Sequence, residues 1–387
     1  MENEKRTILF VNDEMRMGGV ARVLNTLMAA LPKDRYEIDL LILHKRGMLL
    51  EEVPQGVHVL EGTPFFTPVD ESLDMIWASR DWKELFKKLR LLFYMKTRLI
   101  IPKIRRERKK ILTKQYDVEV AAKEGFCTIF TASGDSRRKI NWVLTDYSVC
   151  NYSRNHMPLV KQALRSIDLN IADSTQAMIA YNTVFKVRNS VTIHNLMDTA
   201  SIERKLAEDP DGKAIQDSSS PNLISVVRFH PQKAVDRLLY ASHEATKAGY
   251  AHTLYLVGGG EEEGKLRKIV SDLKMDNVVF LGYMANPYGA MRKADLFVLP
   301  SLYEGFATVI SESLIVGTPV LSADVSGARE QITKPDEGWV VESSQEGLNN
   351  GLIEALSNPD RLKEMKKALA GYTYPNDEVL QQFMDVL

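Results

Sequence analysis

Cysteine is nearly missing from this 387-residue chain, which holds only Cys127 and Cys150. Two cysteines cannot build a disulfide framework or a cysteine-rich zinc site. They fit a reducing compartment, where each is a small core residue. Long apolar runs are missing as well, and no stretch reaches the ~18 residues a membrane-spanning helix needs. Net charge is also missing: Lys+Arg 50 against Asp+Glu 51 leaves −1. That balance gives no bulk electrostatic case for a nucleic-acid partner. The opening MENEKR runs into an apolar strand with no leader-like segment, so a cytoplasmic location is expected. What remains is an ordinary globular composition, 44% apolar, at a length that favours two domains.

Strand and helix patterns alternate along the chain. Thr7–Asn12 (TILFVN) reads as a strand, DEMRMGG as a loop and Val20–Leu31 as a helix. Val20, Val23, Leu24, Leu27, Met28 and Leu31 share one face of that helix. Strand, glycine loop and helix open a doubly wound sheet. Gly18 and Gly19 lie where the helix begins, so bare backbone and the positive helix end can receive an anion there; a plain tight turn is the other reading. Further strands are expected at 37–43, 57–60, 116–121, 140–145, 169–172 and 191–194. Ser174 and Asp198 are placed to cap the helices that follow them.

One stretch breaks the charge balance. Lys83 to Lys114 carries thirteen Lys and Arg against Glu84 and Glu107, a local +11. Trp82, Leu85, Phe86, Leu89, Leu92 and Phe93 interleave at helical spacing. A basic amphipathic helix with aromatic anchors suits an anionic membrane surface, so residues 82–114 are expected to hold the protein there. At about 1 kcal/mol per basic residue near such a surface, half of them suffice. The other readings are an exposed helix whose apolar stripe packs on its own domain and, third, a nucleic-acid contact.

The second half repeats the alternation. Leu223–Val227 is a strand, followed by Arg228-Phe229-His230-Pro231-Gln232-Lys233 and a helix to about Ala248. Leu254–Val257 leads into Gly258-Gly259-Gly260 and three glutamates, which suit a tight turn and a helix start. Val278–Leu281 precedes Gly282-Tyr283-Met284. Asp295 to Val320 reads DLFVLPSLYEGFATVISESLIVGTPV: a buried strand, a turn holding Glu304, a helix holding Glu312 and a stop at Gly317. The two glutamates are eight residues apart, which at helical rise is ~12 Å. On spacing alone they are a solvated loop carboxylate and a surface helix carboxylate. Asp209-Pro210-Asp211 sits in the polar segment 208–222 and reads as a turn rather than a metal motif. Alternating strands and helices in both halves give two doubly wound α/β domains.

The buried strand, Pro-Ser, Glu304-Gly305-Phe306, Glu312 and Gly-Thr-Pro-Val together resemble the Glu-x7-Glu signature of retaining glycosyltransferases of family 4. The resemblance implies the GT-B fold, two Rossmann-like domains facing across a cleft. It implies an acceptor-side domain at 1–197, a nucleotide-sugar donor domain at 198–370 and a helix at 371–387 crossing back to the first. It assigns Glu304 to the donor sugar and Glu312 to the ribose hydroxyls. Arg228 and Lys233 match the pair that holds the donor diphosphate; a guanidinium fork and an ammonium stabilise a departing diphosphate with no metal and no cofactor. The helix start at Gly305, Phe306, Ala307 and Thr308 adds backbone amides, and Gly18–Gly19 face donor and acceptor. Backbone groups at Tyr283 and Met284 read the base, which leaves UDP and GDP undistinguished.

Two positions depart from the family pattern. Ala307 stands where members often have glycine. The strand end after Val143 reads Leu144-Thr145-Asp146, where many members carry a histidine that touches the donor sugar. Asp146 is the expected substitute; His156 lies further along and reads as a surface-loop residue. The reading is a metal-independent retaining transferase moving a hexose or N-acetylhexosamine, from UDP first, to a glycan or lipid-linked acceptor. Envelope or capsular polysaccharide assembly is the expected setting, at the inner face of the cell membrane. The alternative is a glycosyltransferase-like subunit without catalysis that binds glycan or supports a partner enzyme.

Overall fold

The computed structural model describes residues 5–16, 18–69, 71, 73–149 and 157–387, with backbone alone at 74 and 75. Cys150 and His156 lie outside the described residues. Cys127 is buried, as a small apolar side chain should be. The chain divides into two units: Met1–Leu196 with Asn376–Leu387, and Met197–Pro375. The change of unit therefore comes after Pro375 rather than at the expected 370/371 boundary.

The first unit is built on seven parallel strands: β1 (Arg6–Asn12), β2 (Tyr36–Ile42), β3 (His58–Glu61), β4 (Val118–Ala121), β5 (Arg138–Val143), β6 (Leu169–Ala172) and β7 (Ser190–Thr192). Their order is β3-β2-β1-β4-β5-β6-β7. A parallel strand in such a sheet is covered on both faces, which is why β1 reads as an unbroken apolar run. Ile8 to Val11 have no exposed surface. Helix α1 (Gly19–Ala30) follows β1, with Val23, Leu24, Leu27 and Met28 turned inward. Ser174 and Asp198 cap their helices, accepting from Ala177 N at 3.2 Å and Ser201 N at 2.9 Å.

Between β3 and β4 the chain makes a long helical excursion: α2 (Leu73–Ser79), α3 (Trp82–Lys96) and α4 (Ile100–Ile111). Asp81 caps α3 through Lys83 N and Glu84 N. Arg108 turns inward from α4 and meets Glu119 of β4 through both terminal nitrogens, at 2.7 and 2.8 Å. Ser136 Oγ donates to the same carboxylate, and Arg108 also donates to Phe130 O. This pair is nearly free of solvent, so α4 is riveted to the sheet. Lys88 also points inward, donating to Pro68 O at 2.8 Å. The charge count of residues 83–114 therefore overstates the surface charge: Lys88, Glu107 and Arg108 are buried. Among the described residues no helix is long and apolar enough to cross a membrane.

The second unit carries six parallel strands: β8 (Asn222–Val226), β9 (Thr253–Val257), β10 (Val278–Gly282), β11 (Leu296–Leu299), β12 (Val320–Ala323) and β13 (Gly338–Val341), in the order β10-β9-β8-β11-β12-β13. Leu296 to Leu299 are fully buried. Residues 209–211 form a turn, in which Asp209 Oδ1 accepts from Lys213 N. The helix Asn376–Val386 belongs to the first unit, where Phe383 packs edge-on against Trp142 of β5 at 5.2 Å between ring centres.

Candidate active site

In each sheet the strand order reverses once, and the crevice outside the carboxyl ends at that reversal is where doubly wound sheets bind ligands. In the second unit the reversal lies between β8 and β11, which pair through Leu223 with Leu296 and Ile224 with Phe297. The loop after β8 holds Arg228 and Lys233; the loop after β11 holds Glu304.

Backbone and side-chain bonds knit these loops together. Leu302 N donates to Gln232 O at 2.9 Å, and Gln232 Nε2 donates to Tyr303 O at 2.9 Å. Lys233 Nζ then reaches Glu304 Oε1 at 2.5 Å. Glu304 is 8% exposed, while Arg228 is exposed and has no ion-pair partner among the described residues. The bend that aims Lys233 depends on Ala234, whose φ of 45° is unusual for a residue with a side chain. Gln232 was not legible as a site residue, because a lone glutamine in a loop carries no spacing signal.

The helix after the Glu304 loop runs Thr308–Ile315, with Ala307 at its cap position. It therefore begins two residues later than Phe306, and Phe306 packs beneath the turn at 7% exposure. The amides of residues 307–309 open this helix start and point along its positive end, while Ile310 N donates to Ala307 O at 2.9 Å. Gly305 and Ala307 are buried, Thr308 is half-buried, and Glu312 lies in the body of the helix at 7% exposure. Tyr283 and Met284 follow β10, the first exposed and the second half-buried, after Gly282 in the left-handed region (φ 69°).

The glycines after β9 have a packing role. A Cβ on Gly258 would overlap Val227 O, and one on Gly260 would overlap Phe229 O. Both have positive φ. The β9 loop thus lies flush on the segment that carries Arg228, and only bare backbone fits. Four consecutive strands, β10, β9, β8 and β11, supply Met284, the glycines, Arg228 with Lys233, and Glu304. At ~4.8 Å between neighbours these strands span roughly 14 Å. The edge so formed holds two cations, the Glu304 carboxylate and a helix start, a set suited to a ligand with an anionic centre; Glu312 lies further along the same helix, outside that set.

The first unit has its own reversal, between β1 and β4. Gly18 caps α1 in an extended conformation, Gly19 begins it, and a Cβ at either would meet nothing within 4 Å. The backbone there is open. The loop before it is clamped on both sides: Lys123, after β4, pairs with Asp13 at 2.5 Å, and Arg46 donates to Glu14 at 2.9 Å and to Glu71 at 2.7 Å. Burial would lower the Lys123 pKa, but Asp13 outweighs it and holds the ammonium above the ordinary lysine value. Asp146, after β5, accepts from Ser148 N at 2.8 Å and Ser148 Oγ at 2.6 Å, so part of its carboxylate is engaged locally. Sequence reasoning missed Asp13, Lys123 and Arg46; their position just past strand ends was the available signal.

Comparison with known proteins bears on the fold and on the second unit's family. Residues 210–370 match the model of the family described as glycosyl transferases group 1. The chain is 24% identical over 361 residues to the N-acetylgalactosamine-N,N'-diacetylbacillosaminyl-diphospho-undecaprenol 4-alpha-N-acetylgalactosaminyltransferase of Campylobacter jejuni, covering 90% of each chain. Among solved structures it resembles Anabaena HepE (Alr3699) in complex with UDP and glucose, with a TM-score of 0.70, 19% identity and 98% of each chain covered. It also resembles sucrose-phosphate synthase of Thermosynechococcus elongatus, with a TM-score of 0.68, 17% identity and 99% and 98% covered.

Proposed function

We propose that the chain, whose residues 210–370 match the glycosyl transferases group 1 family and whose fold resembles that of GT-B enzymes, is a family 4-like glycosyltransferase that transfers a hexose or N-acetylhexosamine from a nucleotide sugar, UDP-linked first, with retention at the anomeric carbon. The acceptor is a lipid-linked or free glycan in envelope or capsule assembly. The second unit is the donor side and the first the acceptor side.

The observation that carries this reading is the Lys233–Glu304 contact across the two loops at the strand-order reversal. The diphosphate lies against Arg228, Lys233 and the start of helix Thr308–Ile315. Cleavage of the bond between sugar and phosphate places a new negative charge there, and fixed cations in a partly buried site stabilise it without reorganising. Glu304 then meets the sugar hydroxyls and Glu312 those of the ribose. The base lies beyond, at Tyr283–Met284. The departing phosphate oxygen accepts the acceptor proton from the same face the sugar leaves, so no side chain is assigned as nucleophile. The Campylobacter relative's lipid-diphosphate substrate and the UDP held by HepE support the acceptor and donor classes. The basic excursion 82–114 supports work at the inner face of the cell membrane.

Purified protein is titrated with UDP-, GDP- and ADP-sugars while thermal stability is followed, since a ligand that binds the native state stabilises as ln(1 + [L]/Kd). UDP-sugars are expected to stabilise, and donor turnover to persist in EDTA. Stabilisation by no nucleotide sugar, with no donor turnover, would refute the proposal.

A further inference from the structure

We infer that α3 lies in the plane of an anionic lipid bilayer and inserts its outward face, while α4 is a strut and inserts nothing. This deepens, and rests on, the proposal that residues 82–114 meet a membrane.

The two faces of α3 differ sharply. Leu91 and Met95 are buried against the first unit, and Lys88 is tied to Pro68 O. On the opposite side, Trp82, Phe86, Leu89 and Phe93 follow one another at spacings of four, three and four residues. At ~100° per residue they form one straight stripe, about 180° from Leu91. Burial does not claim them: Trp82 and Phe86 are each 68% exposed and Phe93 59%. Trp77 of α2 extends the stripe, edge-on to Trp82 at 5.8 Å and itself 65% exposed. From Trp82 to Phe93 the row is ~16 Å long. A row of exposed rings of this length is unusual on a soluble surface and marks something that covers it.

Charge identifies the cover. Lys83 and Arg90 are exposed on one flank of the stripe, roughly 70–90° from its centre, and Lys96 on the other. Apolar rings below and ammonium or guanidinium groups at the sides match a bilayer interface, with acyl chains beneath anionic headgroups. Helix α4 has the opposite design. Arg108 is spent on Glu119, and Lys103 and Lys110 both bind Glu107. Its exposed Arg105, Arg106 and Lys109 have no apolar row beside them. The placement also suits the chemistry. Lys88 and Tyr94 hold α3 to Pro68 and Phe65 in the loop that leaves the carboxyl end of β3. Gly18, Gly19 and Asp146 lie at that same end of the first unit's sheet, so an acceptor rooted in the bilayer would be presented to the carboxyl ends of its strands.

The test uses the full chain with vesicles of mixed phosphatidylglycerol and phosphatidylethanolamine, and with phosphatidylcholine alone. Flotation and tryptophan emission are read for wild type, Phe86→Ser/Phe93→Ser and Arg105→Gln/Lys109→Gln. Wild type is expected to float with the anionic vesicles and shift its emission to the blue. The phenylalanine pair is expected to lose about tenfold or more in partitioning per ring removed. The α4 pair should bind within a few-fold of wild type. Unchanged thermal midpoints and unchanged donor turnover in solution would show that both variants are folded. If the α4 pair abolishes binding while the phenylalanine pair binds like wild type, insertion by α3 is overturned and electrostatic attachment survives. If wild type floats with neither vesicle, both the insertion and the membrane reading fall.

Discussion

Lys233 Nζ and Glu304 Oε1 stand 2.5 Å apart, each on a loop leaving one of two neighbouring strands. If Lys233 holds the donor diphosphate and Glu304 the sugar, as proposed, this contact has two effects. It keeps the ammonium in place before donor arrives, and it puts the sugar-binding oxygen one contact from the charge that develops in the reaction. Glu304→Gln is therefore expected to keep nucleotide binding within a few-fold while transfer falls by about 10²–10³. Lys233→Met should lose both, because it also leaves a largely buried carboxylate unpaired. Calorimetric Kd for UDP beside kcat separates the two; wild-type rates in either variant would sink the assignment.

Gly258 offers a test that touches no charged group. Alanine there must push into Val227 O from a backbone at φ 141°. The loop carrying Arg228 is expected to shift, and donor affinity to fall with little change in the Lys233–Glu304 contact. Tighter or unchanged UDP binding by Gly258→Ala would show that the β9 loop does not set the position of Arg228.

Arg108→Met removes one partner of a buried pair, leaving Glu119 with the Ser136 hydroxyl but no cation and Phe130 O without the guanidinium donor. Such losses cost about 3–5 kcal/mol, which for a unit of this size lowers the thermal midpoint on the order of 10 °C. Arg105→Gln, on the exposed side of the same helix, should change stability by less than about 0.5 kcal/mol. Equal effects would mean that α4 is not riveted to the sheet.

Acid should weaken the fold in two separate windows. Burial holds the His252 imidazole below its ordinary value, against a partial upward push from its bond to Tyr250 O. The unfolded chain then takes up a proton below pH ~6.5 that the folded one refuses, so stability declines as pH falls below that point. Burial alone would raise Glu107, but Lys103, Lys110 and Thr63 bring it down to about 2. Its contribution is complete above the ordinary glutamate value of 4.5 and fades as pH falls toward 2. Melting curves from pH 8 to 3 read both. His252→Asn should flatten the upper window and Glu107→Gln the lower; a profile unchanged by His252→Asn would refute the upper assignment.

The alternation of strands and helices was legible because parallel strands buried on both faces leave apolar runs, and the helices between them keep a 3.6-residue period. TILFVN and DLFVLP both lie on strands, and Ser174 and Asp198 cap as their side chains suggest. Charge was misread in one place. Thirteen cations in a row look like one surface, and the burial of Arg108 depends on Glu119, eleven residues along and on a strand. The exposed row on α3 was partly legible: the apolar spacing showed a stripe, but Leu85 and Leu92 could not be told from Phe86 and Phe93 until packing chose between them. Gln232 left no mark and the Asp13–Lys123 pair only its position just past two strand ends, since their meaning comes from a partner far away in the chain.

Trp142 is covered by Phe383, which the ribosome adds only after the whole of the second unit. The earlier-made unit therefore waits, with an indole uncapped, until its neighbour has been synthesised. A nascent chain released before residue 376 should carry a sound second half and a wounded first half. Nonsense mutations late in the gene would thus be felt at the opposite end of the polypeptide from where they fall.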